Sequence, residues 1–482
     1  MFRTLTMSAV CAALLSAGCG GGPRDAQAVL ADVHEAMGTE GLQSITYSGT
    51  AQTLDRAFLQ TAVASPPWPM YDISNYSRTI DLTEPASRAT GTMFHGGVFL
   101  RPPTEQPYEQ QINPDQTAWN DQLEIWLTPW GFLRGAEMYG AEVGTAEMGE
   151  GAFTTLTWQS PESQTSPSGM RYTVTGYIDD QNLVSRVETQ VEHVMMGDLQ
   201  VAANYSDYRE MDGVMVPATM EQERAGGTSF TVAVESATAN PADLTARLTP
   251  PPAEGNGGGG GGGGGRGGGP APDPADLVRK VYDGVYLVGG GYEAMIVEFT
   301  DFVVVFEGGA QNENRGQQVL AATRATVPNK PIRYVVNSHF HSDHSSGLAA
   351  WAREGITILT HEANVPFAEM ALSNPRTLLG EPTMDPMIEG VEDVMVIEDA
   401  MNRMEIVHIP NPHAEHLLGV YLPRHSHFHQ ADLTLFPDDP SPAHIAFAER
   451  VRELGMEFDT LTGVHPAPNP ESDDDVLVAL RQ

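Results

Sequence analysis

The pattern of apolar positions predicts two folded regions of different kinds. Near the start, apolar residues recur at helical spacing between residues 24 and 37 and Gly38 follows them, which predicts one amphipathic helix. The residues after it alternate apolar and polar positions in runs separated by Gly, Pro, Asn and Asp, as antiparallel strands do. The predicted strands are 45–54, 78–82, 153–159, 171–178, 184–194 and 229–234.

Further along the chain, short β-branched runs alternate with helical stretches, which predicts layered α and β structure. These runs are 286–288, 295–299, 303–306, 332–336 and 356–359, with a helix near 317–326. Between the two regions lies a glycine run, 257–269, interrupted only by Arg266. Such a segment buries too little apolar area to offset its chain entropy, so we expect a flexible linker. The predicted domains are 24–249 and 275–482, with the linker at 250–274.

The N-terminus has the features of a secretory signal. Arg3 precedes an apolar run from about residue 7 to 15, which is too short to span a membrane. Residues 14–19, at the end of this run and just after it, are Leu-Leu-Ser-Ala-Gly-Cys, which resembles the lipobox of bacterial lipoproteins, although Ser16 stands where leucine is most frequent. The resemblance implies a signal peptide over residues 1–19, lipid on Cys19 and a place in the cell envelope. An ordinary cleaved signal or an uncleaved apolar N-terminus is the alternative.

The amino-acid composition argues against a nucleic-acid partner and against cysteine chemistry. The chain has 26 Lys and Arg residues against 63 Asp and Glu residues, for a formal net charge of −37. This charge would repel phosphate backbones, so no nucleic-acid partner is expected. The two cysteines, Cys11 and Cys19, both precede the predicted domains, which leaves those domains without disulfides or thiolate chemistry.

The most informative segment is Ser338-His-Phe-His-Ser-Asp-His344, directly after the predicted strand 332–336. Three imidazoles and a carboxylate within six residues are suited to hold metal ions. A purely structural zinc site favours four ligands, often cysteine, which these domains lack. The candidate ligands in this segment are His339, His341, Asp343 and His344.

This motif, His-x-His-x-Asp-His, resembles the signature of the metallo-β-lactamase superfamily, which continues with a lone His, a bridging Asp and a final His. Matching positions follow in Asn411-Pro-His-Ala-Glu-His416, in Gln430-Ala-Asp-Leu433 and in Gly463-Val-His-Pro466. The resemblance covers about 280–470 and implies an αββα sandwich for this domain, so that the whole chain is α+β. The later ligands that it implies are His413, Asp432 and His465.

The resemblance also implies how the site works. One zinc ion would be held by His339, His341 and His413, and the other by Asp343, His344 and His465, with Asp432 bridging the two. Two such ions lower the pKa of a bridging water and supply hydroxide as the nucleophile. Asp343 is the candidate catalytic residue that orients this hydroxide and accepts a proton.

Other histidines offer alternatives. His416 and His408 compete with His413 as the third ligand, and His416 is also a candidate substrate-facing residue. A predicted strand before Asp432 carries three alternating histidines, which form either a metal or pH-sensitive patch or, as we expect, a solvated strand face. They are His425, His427 and His429. We expect His361 and Glu362 to serve in helix capping and packing. Residues 373–392 are either a pocket-covering loop or an exposed loop.

Together these features predict a secreted, lipid-anchored dinuclear zinc hydrolase that opens an ester, lactone or amide bond in a small-molecule substrate. Within enzymes, a cysteine-free metallo-β-lactamase is the alternative. Outside enzymes, the alternative is a carrier lipoprotein, because Tyr205-Ser-Asp-Tyr208 and Gly213-Val-Met-Val-Pro217 resemble parts of half-barrel carriers of the cell envelope. Nothing in the linker predicts a fixed contact between the domains, and the oligomeric state is open.

Overall fold

The computed structural model describes residues 25–97, 101–113, 117–149, 151–251, 273–433 and 441–465. The predicted signal peptide and nearly all of the predicted linker lie outside these residues. Among the helices in the described ranges, none is both long enough and apolar enough to cross a membrane.

The N-terminal domain is an antiparallel sheet of eleven strands with helices packed on it. The strands are β1 (Ser44–Leu54), β2 (Met70–Asp81), β3 (Ala86–Gly97), β4 (Arg101–Ile112), β5 (Glu142–Met148), β6 (Gly151–Gln159), β7 (Thr173–Ile178), β8 (Val184–His193), β9 (Gly197–Met211), β10 (Val214–Arg224) and β11 (Gly227–Ala239). The helices are α1 (Ala26–Met37), α2 (Leu123–Trp126), α3 (Pro129–Tyr139) and α4 (Leu244–Leu248). The strand order is β4-β3-β2-β1-β11-β10-β9-β8-β7-β6-β5, so two meanders meet where β1 pairs with β11.

Large aromatic side chains fill this domain. Trp126 and Trp130, from α2 and α3, are buried in the same core as Trp158 of β6. A Cβ atom at Gly135 would lie 2.3 Å from the Trp158 ring, so only glycine lets α3 approach the sheet this closely. The cavity between Tyr47 and the β9–β11 strands encloses ≈ 30 Å³, room for about two water molecules.

The C-terminal domain has two sheets between layers of helices. The first sheet contains β12 (Val278–Tyr282), β13 (Val285–Val288), β14 (Ala294–Glu298), β15 (Val303–Phe306), β16 (Ile332–Val336), β17 (Thr357–His361) and β18 (Ile388–Val391). The second contains β19 (Val394–Glu398), β20 (Arg403–Pro410), β21 (His416–Leu422), β22 (His427–Gln430) and β23 (Thr460–Gly463). The helices are α5 (Glu313–Thr326), α6 (Ser342–Ser345), α7 (Leu348–Arg353), α8 (Val365–Ser373) and α9 (Pro442–Glu453).

Three apolar clusters hold these layers together. The middle cluster joins the inner faces of the two sheets, for example Val297 with Ile406. On the outer side of the first sheet, Val319 and Trp351 of α5 and α7 pack against its strands, and Phe447 of α9 packs against the second sheet. The order helix, sheet, sheet, helix is the αββα sandwich predicted from the sequence, and the α+β class is confirmed with it.

The two domains share a core and polar contacts, which the sequence did not predict. Phe340, Phe367 and Leu378 of the C-terminal domain belong to the same buried cluster as the N-terminal core. Arg376 and Leu378 are 1% and 6% exposed, so this part of 373–392 is neither an exposed loop nor a cover over a pocket. It is an interdomain contact, in which Arg376 donates to the carbonyl oxygens of Val194 and Met195.

Candidate metal centre

The predicted ligands lie at one edge of the two central sheets. The strands β16, β22 and β23 end at this edge, the β20–β21 loop lies beside them, and α6 begins just after β16. Because β22 and β23 run parallel, the residues that follow each of them emerge at the same side. The structure brings together all seven predicted ligands: His339, His341, Asp343, His344, His413, Asp432 and His465.

The first group of ligands is buried. The candidate ligand atoms of His339, His341, His413 and Asp432 all lie within 4.8 Å of one another. The Nε2 atoms of His339 and His413 are 3.2 Å apart, and they lie 3.3 Å and 3.1 Å from the same oxygen, Oδ2 of Asp432. Imidazole nitrogens and a carboxylate oxygen that converge in this way form a suitable donor set for a divalent cation.

The second group adjoins the first through Asp432. It consists of Asp343, His344 and His465, whose ligand atoms also lie within 4.8 Å of one another. The Nε2 atoms of His344 and His465 are 3.3 Å apart. Asp432 places Oδ2 2.9 Å from His344 and Oδ1 2.5 Å from His465, so its two oxygens contact both groups. This is the position that a bridging carboxylate requires.

One buried atom tests whether these residues suit a metal ion. Nδ1 of His341 is buried and has no hydrogen-bond partner among the described residues, whereas Nε2 of the same ring lies 2.9 Å from the carbonyl oxygen of Thr61. A carbonyl oxygen only accepts, so Nε2 carries the proton and Nδ1 keeps a free lone pair. An orphaned lone pair inside a cluster of ligands fits a coordinating nitrogen, because burial without a partner is otherwise unfavourable.

A buried glutamate orients the third histidine of the motif. Glu307 follows β15 and is 1% exposed. Its Oε2 lies 2.6 Å from Nδ1 of His344, and its Oε1 accepts a hydrogen bond from the amide of Ser338. A carboxylate on the far ring nitrogen directs Nε2 towards the ligand cluster, the usual arrangement at metal-bound histidines. Glu307 was not among the residues predicted from the sequence, although an acidic residue directly after the apolar run 303–306 was a visible signal.

Tyr292 and Gln60 also escaped the sequence analysis. The hydroxyl of Tyr292 donates to Oδ2 of Asp343 at 3.0 Å, and its ring packs 4.0 Å from that of His465. The side-chain amide of Gln60, in the N-terminal domain, donates to Oδ1 of Asp343 at 2.7 Å. Neither residue stands near a recognisable motif, and Gln60 precedes its partner by 283 positions.

Burial and nearby charges shift the pKa values of the histidines in this site in opposite directions. Burial lowers the pKa of His339 to about 3, with a further contribution from His344, and burial also lowers the pKa values of His341 and His413. These imidazoles are therefore neutral at pH 7, the form that binds metal. Burial also acts to lower the pKa of His344, but the charges of Asp432 and Glu307 outweigh it and raise that pKa well above its usual value.

Access to the site is uneven. The side chains of His339 and His344 are fully buried, whereas those of Asp343 and His465 are 33% and 21% exposed. Burial acts to raise the pKa of Asp343, but its hydrogen bond and charge interaction with His344 hold that pKa well below the usual value. A substrate would therefore approach from the side of Asp343, which is an ionised carboxylate at neutral pH.

The alternatives for the third ligand form a separate group. His361, His408 and His416 have their ligand atoms within 4.8 Å of one another, and the rings of His361 and His416 are stacked 4.3 Å apart. Nε2 of His361 lies 3.0 Å from the carbonyl oxygen of Glu392, and its Nδ1 accepts from the amide of Ala363. Both ring nitrogens of His361 thus have partners, and the Ala363 contact is the capping expected from the sequence. The structure places His413 with the other predicted ligands.

The three alternating histidines differ from the expectation of a solvated strand face. His427 and His429 are both 0% exposed. His427 Nε2 and His429 Nδ1 each lie 2.7 Å from the hydroxyl oxygen of Thr462, and His425 stacks on Tyr282. The prediction was wrong because β22 is an inner strand between β21 and β23, which the alternation of residues alone does not reveal.

Comparisons with known proteins give one family match and several similar solved structures. Residues 287–425 match the family model of the Metallo-beta-lactamase superfamily, while no curated protein matches the chain. A solved metallo-β-lactamase from Pontibacter korlensis is 16% identical, with 42% of this chain and 98% of that chain covered and a TM-score of 0.32. One from Erythrobacter litoralis is 17% identical, with 42% and 95% covered and a TM-score of 0.33. A stereoselective inverting sec-alkylsulfatase from Pseudomonas sp. is 19% identical, with 42% and 40% covered and a TM-score of 0.32.

Proposed function

We propose that the protein is a dinuclear zinc hydrolase that cleaves an ester, lactone or amide bond in a small-molecule substrate, supported by the match of residues 287–425 to the family model of the Metallo-beta-lactamase superfamily. One observation carries this proposal: two groups of ligands lie side by side and share both oxygens of Asp432. A site that only stabilises the fold has no need of two adjoining groups, seven ligands and an open side.

The residues have separate tasks in this proposal. His339, His341 and His413 would hold one zinc ion, Asp343, His344 and His465 the other, and Asp432 both. When bound, two zinc ions supply an acidic water as nucleophile and polarise the bond to be cleaved. Asp343, at the exposed side and ionised, is placed to accept a proton there. Tyr292 donates to Asp343, and its pKa is raised by burial and then by that carboxylate, so its hydroxyl stays protonated at neutral pH.

Metal analysis combined with a substrate screen tests the proposal. We expect two equivalents of zinc per chain and turnover of at least one p-nitrophenyl ester or lactone, with a phosphodiester, a sulfate ester and a chromogenic cephalosporin as further arms. Asp432→Ala should lose metal and lower kcat/KM by more than the ~10–100-fold typical of an outer-shell partner. The matched control is Asp283→Ala, since Asp283 is an exposed aspartate with a side chain 98% accessible. Full metal content and activity in Asp432→Ala would contradict the assignment.

We also propose that the protein is secreted and held in the cell envelope by lipid on Cys19. The support is the sequence from residue 14 to 19, which places small residues directly before the cysteine. We expect the protein in the membrane fraction of its cells and Cys19→Ser in the soluble or unprocessed fraction. An unchanged distribution in Cys19→Ser would mean that the cysteine carries no anchor.

A further inference from the structure

A loop of the N-terminal domain lies against the metal centre. This segment, residues 55–69, connects β1 to β2 and is called the β1–β2 loop below. The amide of Ser342, at the start of α6, donates to the carbonyl oxygen of Leu59 at 3.0 Å. The amide of Glu415, in the β20–β21 loop, donates to the carbonyl oxygen of Ala62 at 2.8 Å. The loop is thus attached to two of the three segments that carry the first group of ligands, those of His341 and His413.

The backbone at Leu59 indicates that this attachment is specific. Leu59 has φ 62°, in the left-handed region, although it is neither glycine nor asparagine, and its side chain is 2% exposed. Such a conformation costs on the order of 1–3 kcal/mol and persists only where the surroundings determine it. Here the surroundings are the buried side chain and the hydrogen bond from Ser342. A loop that merely rested on the C-terminal domain would relax to an unstrained conformation.

The loop contacts three of the predicted ligands directly. The carbonyl oxygen of Thr61 accepts from Nε2 of His341, which leaves Nδ1 free to coordinate. Nη2 of Arg56 donates to the carbonyl oxygen of His413 at 2.9 Å. The side chain of Gln60 donates to Oδ1 of Asp343 at 2.7 Å and lies 3.0 Å from the hydroxyl of Ser342.

We propose that the β1–β2 loop is part of the metal centre, and that Gln60 is a positioning residue for Asp343. This inference rests on the proposed function, since it assumes that the ligands hold metal. Gln60 holds Oδ1, so the carboxylate turns Oδ2 towards His344, at 3.4 Å, and the second group of ligands. The N-terminal domain then supplies outer-shell contacts to the metal ligands, which explains why the two domains are docked.

The test compares three full-length variants with the wild type. Gln60→Ala removes the amide, and Gln60→Glu replaces a donor by an anion beside the ionised Asp343. The matched control is Gln52→Ala, because Gln52 is an exposed glutamine in β1 whose side-chain amide donates to Oδ1 of Asp72. Zinc affinity is measured by competition with a chelator, and the second site is followed by the visible absorption of bound Co²⁺.

We expect Gln60→Ala to weaken the second metal equivalent by about 10–100-fold, the usual effect of losing an outer-shell partner, and to leave the first nearly unchanged. Gln60→Glu should weaken binding of the second metal equivalent at least as much and should alter the Co²⁺ absorption. The melting temperatures of both Gln60 variants should stay close to that of Gln52→Ala. Equal affinity of both sites in Gln60→Ala and Gln52→Ala would overturn this proposal alone. A wild-type protein that binds no metal would overturn the proposed function and this inference together.

Discussion

At the scale of single residues, the structure assigns different protonation states to chemically identical side chains. Burial lowers the pKa of His339 to about 3, whereas two carboxylates raise that of His344, only five positions later. Position in the fold therefore decides which imidazole is neutral. Glu307 contributes to this difference because it contacts His344 but not the ring of His339, whose Nδ1 lies 2.8 Å from the hydroxyl of Ser338.

The buried histidines of β22 lead to a prediction about pH. Burial lowers the pKa of His427 to about 4, with additional effects of His425 and Arg279. Its value in the unfolded chain is about 6.5, so below that pH the unfolded chain binds a proton that the folded protein does not. Folding stability should therefore fall as the pH drops from 6.5 towards 4. For this residue the loss at pH 5 is at most about 2 kcal/mol, from ~1.4 kcal/mol per pH unit.

Denaturant unfolding of metal-free protein at pH 7 and pH 5 measures this loss. His427→Gln should lose less free energy of unfolding between the two pH values than the wild type, whatever its stability at pH 7. His425→Gln is the control variant, because the His425 ring is partly exposed and should contribute less to the change of folding stability with pH. Equal pH dependence in His427→Gln and the wild type would show that His427 does not oppose protonation in the fold.

At the scale of elements, the sequence predicted the parts whose signals are local. The strands at 303–306 and 332–336 match β15 and β16, and the helix near 317–326 lies within α5. The candidate ligands could be named because four of them share one short motif and the other three lie in segments that resemble the superfamily's pattern. The structure adds α2 and α3, whose apolar residues cover more than one face, and the long strands β9 and β10, where neighbouring residues such as Val201, Ala202 and Ala203 are all buried and period two is lost.

The features that the sequence did not predict depend on contacts between segments that are distant along the chain. Three residues reach the site from separate segments: Glu307 from the end of β15, Tyr292 from the β13–β14 connection and Gln60 from the β1–β2 loop. The pattern of residues within one segment does not show that these segments lie close together in the fold. The burial of His427 was not predicted for the same reason. It depends on the strands β21 and β23 on either side of β22, and the sequence of β22 alone does not identify these neighbours. Sequence patterns therefore indicated the candidate ligands, which the structure brings together, but not the residues that contact them.

At the scale of the whole molecule, hydrogen bonds between described residues join the domains at the β1–β2 loop beside the metal centre and around residues 374–378. The second contact includes the start of β9. There Asp198, 6% exposed, accepts hydrogen bonds from the amide and hydroxyl of Thr377 and from the amide of Leu378, at 3.0, 2.6 and 3.0 Å. A carboxylate that satisfies three donors at a buried seam holds the orientation of one domain on the other.

Removing this carboxylate should uncouple the domains. Asp198→Ala leaves the buried amide of Leu378 without its acceptor, at a cost of about 1–3 kcal/mol for such a group, and removes the acceptor of the exposed Thr377. Because Phe340 and Leu378 belong to the N-terminal core, the wild type should unfold in one calorimetric transition, and the variant in a broader or split one. Asp180→Ala, at an exposed turn of the same domain, should unfold like the wild type. Two transitions in the wild type would mean that the shared core does not couple the domains.

The same variant should also affect metal binding. In Asp198→Ala the hydrogen bond from the β1–β2 loop to Asp343 should be weakened, because the N-terminal domain is held less firmly on the C-terminal domain. The second metal equivalent should therefore bind more weakly, although the substitution lies outside the metal centre.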